Sequence, residues 1–327
     1  MIHRIALAAL PLLLPMAAIA QEAPEPATPG SVIAAAAPEE WTAIPAEDLL
    51  VMELAPDTAG NARRVVIQLI PAPFSQPWVE NIRTLAAAHW WDGTSVNRVQ
   101  DNYVTQWGDL TEDKPLPHGV VAPEAAYEAS DLLAKTTSLS WLISIGGNSG
   151  NAGPPAPPLD GRDDLHAALA GFGGGWPMAW YGYQASLQAW PIHCYGYVGV
   201  GRGYAPDTGT GAELYTIIGQ PQRHMDRNLA VVGRIIDGME HLSSLPRGSG
   251  DLGFYTDEED HLRTAILSVR LASETADPPS YEYLDTASET FARYVNVRAN
   301  RDDAFYTVPA GGVDVCSVQV PVRQTGS

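Results

Sequence analysis

The sequence predicts a mainly β fold, and three observations carry that prediction. Leu49–Leu54 and Arg64–Ile70 are short apolar runs on either side of the turn-rich stretch Pro56–Asn61, which reads as an antiparallel hairpin. Similar runs return in the second half, at Cys194–Gly201, Glu213–Ile218 and Ala230–Ile236. Helical spacing, by contrast, is confined to a few segments.

Taken in order, the chain opens with His3 and Arg4, then an apolar run from Ile5 that ends in Ala18-Ile19-Ala20. A basic start, a short apolar stretch and a small-x-small end read as a cleaved secretory signal over residues 1–20, which implies a periplasmic or secreted protein. The run is too short to span a bilayer comfortably, so no stable membrane insertion is expected after cleavage. Residues 21–40 are rich in Pro, Ala and Glu and read as a flexible linker. A folded domain is expected over 41–245.

Within that domain, Trp78, Ile82, Leu85 and Ala86 recur at helical spacing in Gln76–His89, with Ser75 as N-cap and Pro77 in the first turn. Asp92-Gly93-Thr94 reads as a turn, and Val96–Gln106 as two short strands bent at Asp101-Asn102. Residues 110–192 form a long loop insertion, with helix expected at Val121–Leu133, strand at Leu139–Ile145 and a Gly/Pro/Asn-rich loop at Gly146–Gly161. A short helix is expected at Gly238–Leu245, stopped by Pro246. Residues 246–327 form a C-terminal extension with strands at Ala265–Ala272 and Val313–Val322 and a helix at Thr286–Ala299.

Composition narrows the function. The chain has 327 residues, room for one large or two modest domains, and a formal net charge of −19. That acidity argues against nucleic acid, whose phosphates require clustered Lys and Arg, and against anionic lipid. Cys194 and Cys316 permit one bridge in an oxidising compartment, or two free thiols. There is no Gly-x-Ser-x-Gly elbow, no His-Glu-x-x-His and no P-loop. Gly199-Val200-Gly201-Arg202-Gly203 lacks a following helix signal. His224-Met225-Asp226 and Glu240-His241 fit no standard metal spacing and read as solvated groups. No cofactor and no metal are expected.

Four stretches carry a resemblance. Val65–Leu85, V-V-I-Q-L-I-P-A-P-F-S-Q-P-W-V-E-N-I-R-T-L, looks like an opening strand followed by a V-E-N-F-x-x-L helix. Trp91-Asp92-Gly93-Thr94 stands where that pattern has Y-D-G-T. Val96–Asp109, V-N-R-V-Q-D-N-Y-V-T-Q-W-G-D, is similar to F-H-R-V/I-x-x-x-F-M-x-Q-G-G-D, with Arg98, Tyr103, Gln106, Gly108 and Asp109 in register. Gly211–Tyr215 and Val232–Met239 resemble G-S-Q-F-F and V-F-G-R/K-V-x-x-G-M. Together they resemble the cyclophilin family over roughly Leu49–Leu245, apart from the insertion. The sequence departs from the pattern at Val96 (Phe), Asn97 (His), Trp107 (Gly), Glu213 (Gln), and Leu214 and Tyr215 (two Phe). His224 stands near the pattern's pocket Trp and Leu229 near its His.

The resemblance implies a closed eight-stranded antiparallel barrel capped by two helices, with the C-terminal extension packed outside it. A bond between Cys194 and Cys316 would tie the two together. It also implies a peptidyl-prolyl cis-trans isomerase that assists folding of exported proteins, binds proline-containing unfolded or extended segments and works as a monomer. Rotation about X–Pro faces a barrier of about 18–20 kcal/mol and needs no covalent step, only preference for the twisted amide. Arg98, always charged and forked, is the implied catalytic group. Tyr103, Val104, Tyr215, Met225 and Leu229 would line the proline socket. Gln106 would hold the substrate backbone and Arg98, Gly201 and Arg202 would flank the residue before proline, and Glu213 would orient the guanidinium. The substitutions around Arg98 keep a second reading open: a catalytically weak or inactive proline-peptide binding module or holdase.

Overall fold

The computed structural model describes residues 26–111, 113–130, 143–144, 164–181, 188–303, 305–306 and 308–326. The signal expected over 1–20 and the loop expected at Gly146–Gly161 lie outside the described residues.

Order begins earlier than the composition of 21–40 suggests. Helix α1 (Pro29–Ala34) starts at a reciprocal cap, with the Thr28 hydroxyl accepting from the Ser31 N–H at 3.1 Å and the Ser31 hydroxyl from the Thr28 N–H at 3.0 Å. It buries Val32 and packs on the C-terminal helix Glu289–Ala299. This cap motif, buried Val32 and the bonds of Glu40 to Thr290 anchor a segment whose overall composition reads as linker. Strand β1 (Trp41–Ala43) follows.

β2 (Leu49–Leu54) and β3 (Arg63–Leu69) form the expected hairpin, paired from Leu49↔Gln68 to Leu54↔Arg63. Asp57 closes its turn by accepting from the N–H groups of Ala59 and Asn61. α2 (Gln76–Ala87) turns Trp78, Val79, Ile82, Leu85 and Ala86 into the core. Ser75 is its N-cap in a left-handed conformation, and its hydroxyl makes no cap bond; its backbone carbonyl accepts from Trp78 and Val79 instead. β4 (Ser95–Val99) and β5 (Val104–Gly108) pair around Asn102, at φ +50°.

The insertion contributes β6 (Ala129–Ser130), β7 (Ile143–Ser144), β8 (Leu169–Gly173), β9 (Trp176–Tyr181) and β10 (Gln188–Pro191), in the antiparallel order β6-β10-β9-β8-β7. It is therefore a small sheet rather than loop alone. The helix expected at Val121–Leu133 is absent from its described part: 121–128 has no helical residue, and β6 follows. Tertiary anchors hold that stretch extended, with Asn81 donating to the Val121 carbonyl, Thr208 to the Pro123 carbonyl, and Tyr127 stacked on Trp78.

β11 (Tyr197–Val200), β12 (Leu214–Ile217), β13 (Val231–Asp237), the short α3 (Glu240–Ser243) and β14 (Ile266–Leu271) complete an eight-stranded antiparallel sheet ordered β14-β2-β3-β13-β11-β12-β5-β4. Its two ends meet through the bridge Ser95↔Ala265 and through bonds between Val96 and Thr264 and between Thr94 and Ile266, so the barrel is nearly closed. α2 packs on β13 and β14, and α3 on β3. β14 lies within the expected C-terminal extension, yet it is a barrel strand paired with β2. The boundary at residue 245 therefore moves past Leu271.

β15 (Ser280–Leu284), α4 (Glu289–Ala299) and β16 (Val322–Thr325) finish the chain, with β1, β15 and β16 in a three-stranded sheet. The strand expected at Val313–Val322 is replaced by a 3-10 turn at Val315–Ser317, where Asp314 caps the Cys316 N–H. Pairing starts only after Pro321, which has no N–H to give to a ladder. Phe172 meets Phe291 edge to face at 4.9 Å, so insertion and extension pack together. A disulfide joins Cys194 to Cys316. Among the described residues no helix is long and apolar enough to cross a membrane.

Candidate functional site

The site starts from a bulge in β4. Val96 pairs with Trp107 and Arg98 with Gln106, so two β4 residues span one step of β5 and Asn97 is the extra one. Asn97 is buried and donates to the Gly108 carbonyl at 3.2 Å. The shift sets Arg98 opposite Gln106. Gln106 in turn faces Tyr215 on β12, and Tyr215 faces Gly199 on β11. Four strands thus present the row Arg98, Gln106, Tyr215, Gly199. Gly199 has to lack a side chain, because a Cβ there would stand 2.3 Å from the Tyr215 hydroxyl.

This row opens into a cavity of about 620 Å³. All ten residues expected at the site line it: Arg98, Tyr103, Val104, Gln106, Gly201, Arg202, Glu213, Tyr215, Met225 and Leu229. Val104, Tyr215, Ile217 and Met225, flanked by Tyr103 and Leu229, form an apolar cluster separate from the main core. That separation gives the cavity an apolar notch of its own.

Arg98 is half-buried at the mouth of the notch. Its Nε donates to the Leu252 carbonyl at 2.7 Å, Nη1 to Gln106 Oε1 at 3.2 Å, and Nη2 to Gln100 Oε1. The rings of Tyr103 and Phe254 lie 5.4 and 5.3 Å from its carbon centre. Burial pulls its pKa below the usual arginine value, and the charge of Tyr103 acts the other way. The backbone carbonyl of Leu252 and the side-chain amides of Gln106 and Gln100 thus each give this guanidinium a neutral oxygen. The carboxylate of Glu213, the residue expected to orient Arg98, lies beside Gly108, where a Cβ would meet Glu213 Oε1 at 1.8 Å. Arg202 sits on the rim, with its guanidinium donating to the carbonyls of Asn228 and Gly203. Gly201 donates its N–H to the Glu213 carbonyl at 2.8 Å. Tyr103 donates to Met225 Sδ at 3.0 Å, and His224 stacks against the Tyr103 ring.

Sequence reading missed Leu252 and Phe254, which line the same cavity. They belong to a Gly-rich string read as the start of the extension. That string runs along β4, with Gly248 donating to Val99 and Tyr255 to Asn97. Gly253 permits the approach: at φ +81°, a Cβ there would sit 2.7 Å from the Gln100 backbone. No local periodicity signals this placement. Trp90, Lys114 and Leu116 add a further wall that the motifs did not indicate. Among the described residues, no group of three or more His, Cys, Asp or Glu is placed to hold a metal ion.

Fold and site together define a nearly closed antiparallel barrel whose open groove sets a half-buried arginine beside an apolar notch. The chain belongs to the family described as cyclophilin type peptidyl-prolyl cis-trans isomerase/CLD, whose model matches residues 51–269. That span reaches into β14, in accord with its place in the barrel. Among solved structures, the cyclophilin AquaCyp293 from Hirschia baltica is similar at a TM-score of 0.62 and 20% identity, covering 91% of this chain and 97% of that one. A cyclophilin type isomerase from Cryptosporidium parvum, determined in the presence of the dipeptide Ala-Pro, aligns at a TM-score of 0.36 and 10% identity, over 68% of this chain and 98% of that one. No curated protein matches the sequence.

Proposed function

We propose that this protein is an exported peptidyl-prolyl cis-trans isomerase that binds proline-containing segments and stabilises their twisted X–Pro amide through Arg98. The observation that carries the reading is the juxtaposition of the Arg98 guanidinium with the notch of Val104, Tyr215, Met225 and Leu229 in one cavity.

The notch accepts the pyrrolidine ring by apolar contact. As the amide twists, its nitrogen becomes pyramidal and gains a lone pair, and the planar C–N resonance is lost. A fixed cationic fork beside that nitrogen favours the twisted state over either planar one. Its field is strongest where the substrate displaces water. Gln106, already bonded to Arg98, holds the fork and offers its amide to the substrate backbone. Export is supported by the N-terminal basic and apolar run of the sequence. The Cys194–Cys316 disulfide adds support, since such bonds persist in oxidising compartments.

A protease-coupled assay on a proline tetrapeptide tests the activity with wild type and Arg98→Ala. Turnover in wild type that falls at least about a hundredfold in the variant supports catalysis. Peptide binding without turnover in wild type would replace it with the binding-module reading. Fractionation of cells, with the mature N-terminus determined by mass spectrometry, tests export: a protein retained whole in the cytoplasm rejects it.

A further inference from the structure

Behind the notch runs a chain of buried polar side chains that the isomerase reading does not use. The Tyr215 hydroxyl lies 2.9 Å from His193 Nε2, and His193 Nδ1 lies 3.0 Å from Asp226 Oδ1. Arg223 donates from Nε to Asp226 Oδ2 at 2.6 Å, and its two terminal nitrogens fork onto both oxygens of Asp164 at 2.9 Å each. The side chains of His193, Asp226, Arg223 and Asp164 are all less than a tenth exposed.

The partners fix the direction of these bonds. A carboxylate only accepts, so His193 Nδ1 carries the proton given to Asp226. Nε2, the ring's other nitrogen, is the atom that faces the Tyr215 hydroxyl. Tyr215 is thereby held at both sides, by His193 on its hydroxyl and by the bare backbone of Gly199. Burial pushes its phenol well above the usual range, so the O–H is always there to donate. The far end matters as well. Arg223 opens the 3-10 turn Arg223–Met225, which places Met225 in the notch. Asp164 belongs to the insertion.

We infer that His193 and Asp164 are positioning residues of the notch, and that the insertion is a working part of the substrate site. His193 sets the Tyr215 wall. Asp164, through Arg223, sets the turn that carries Met225. The inference rests on the reading of this cavity as a prolyl-peptide site.

Steady-state kinetics on the full-length protein, with a proline tetrapeptide, test it. His193→Phe keeps a ring and deletes both ring hydrogen bonds. The expected result is a KM raised about tenfold, with kcat within about threefold of wild type. Adding Tyr215→Phe to that variant removes the stranded hydroxyl, and KM should fall back at least threefold, because deleting both partners of a buried pair costs little. Asp164→Asn, which leaves the barrel strands untouched, should raise KM about fivefold. It should also shift the His193 Nδ1–H signal in nitrogen-15 NMR, a readout that a loss of general stability does not move. Turnover in wild type with KM unchanged within twofold in both single variants would overturn the inference and leave the isomerase reading standing. Absence of both turnover and peptide binding in wild type would instead overturn the isomerase reading itself.

Discussion

Arg98 donates from Nε to the backbone carbonyl of Leu252 at 2.7 Å, across 154 positions of sequence. That bond places the guanidinium on a main-chain oxygen of a segment outside the motif that contains the arginine. With Gln106 and Gln100 on the other nitrogens, all three corners of the fork are directed, which is the preorganisation that the proposed stabilisation of a twisted amide requires.

Arg98→Lys keeps the charge and loses the fork. A single ammonium cannot reach Leu252, Gln106 and Gln100 at once. Turnover of a proline peptide should fall at least about tenfold, while the urea midpoint stays where it is. An Arg98→Lys enzyme with wild-type kcat/KM would show that charge alone suffices.

Phe254→Ala removes the ring 5.3 Å from the Arg98 carbon centre and opens the groove to water. Cation–π contacts are worth about 0.5–2 kcal/mol. The expected loss in kcat/KM is therefore about twofold to thirtyfold, with little change in melting temperature. Parallel kinetics and calorimetry check both halves of the statement.

Gly199→Ala puts a methyl group where the Tyr215 hydroxyl already stands. Overpacking of this kind costs about 1–3 kcal/mol. Urea denaturation should show a loss in that range, and the displaced ring should weaken peptide binding measured by calorimetry.

Reduction or double serine replacement of Cys194 and Cys316 opens a crosslink spanning 122 positions. Losing such a bond costs about 2–4 kcal/mol, largely through the freedom returned to the unfolded chain. The denaturation midpoint should drop on reduction, and limited proteolysis should cut first after residue 299, in the strand-poor stretch before Cys316. A midpoint unmoved by reductant would show that the bond adds nothing.

Stability should fall in acid partly through Asp164. Burial alone would raise its carboxyl, but the hydrogen bonds and charge of Arg223 outweigh burial and hold it below the ordinary carboxylate value. A depressed folded-state value gives stability that is present above the unfolded value, about 3.9, and lost as pH falls through the folded one. Urea denaturation at pH 6 and pH 3 should show a smaller pH difference in Asp164→Asn than in wild type.

Much of the site was legible because it is compact in sequence. Arg98, Tyr103, Val104 and Gln106 sit on one strand pair, where a local pattern and the pairing geometry coincide. Tyr215, Met225 and Leu229 were placed by resemblance and meet the others through β12 and the turn after it. Leu252 and Phe254 were not legible, because a Gly-rich string carries no periodicity and its main-chain bonds to β4 leave no mark on residue type. The order of residues 29–34 was hidden in the same way, since one cap motif and one buried valine do not change a composition.

By itself the sequence determined the hairpin, the main helix, the arginine strand pair and the acidic character of the surface. Those depend on residue type at short spacing, where strand and helix periods and capping preferences act. The tertiary structure alone decided that β14 completes the barrel, which oxygens hold Arg98, and that Asp164, His193 and Tyr215 share one buried chain. Such choices come from which distant segments pack side by side, and that is settled by the burial and hydrogen bonding of the whole chain together.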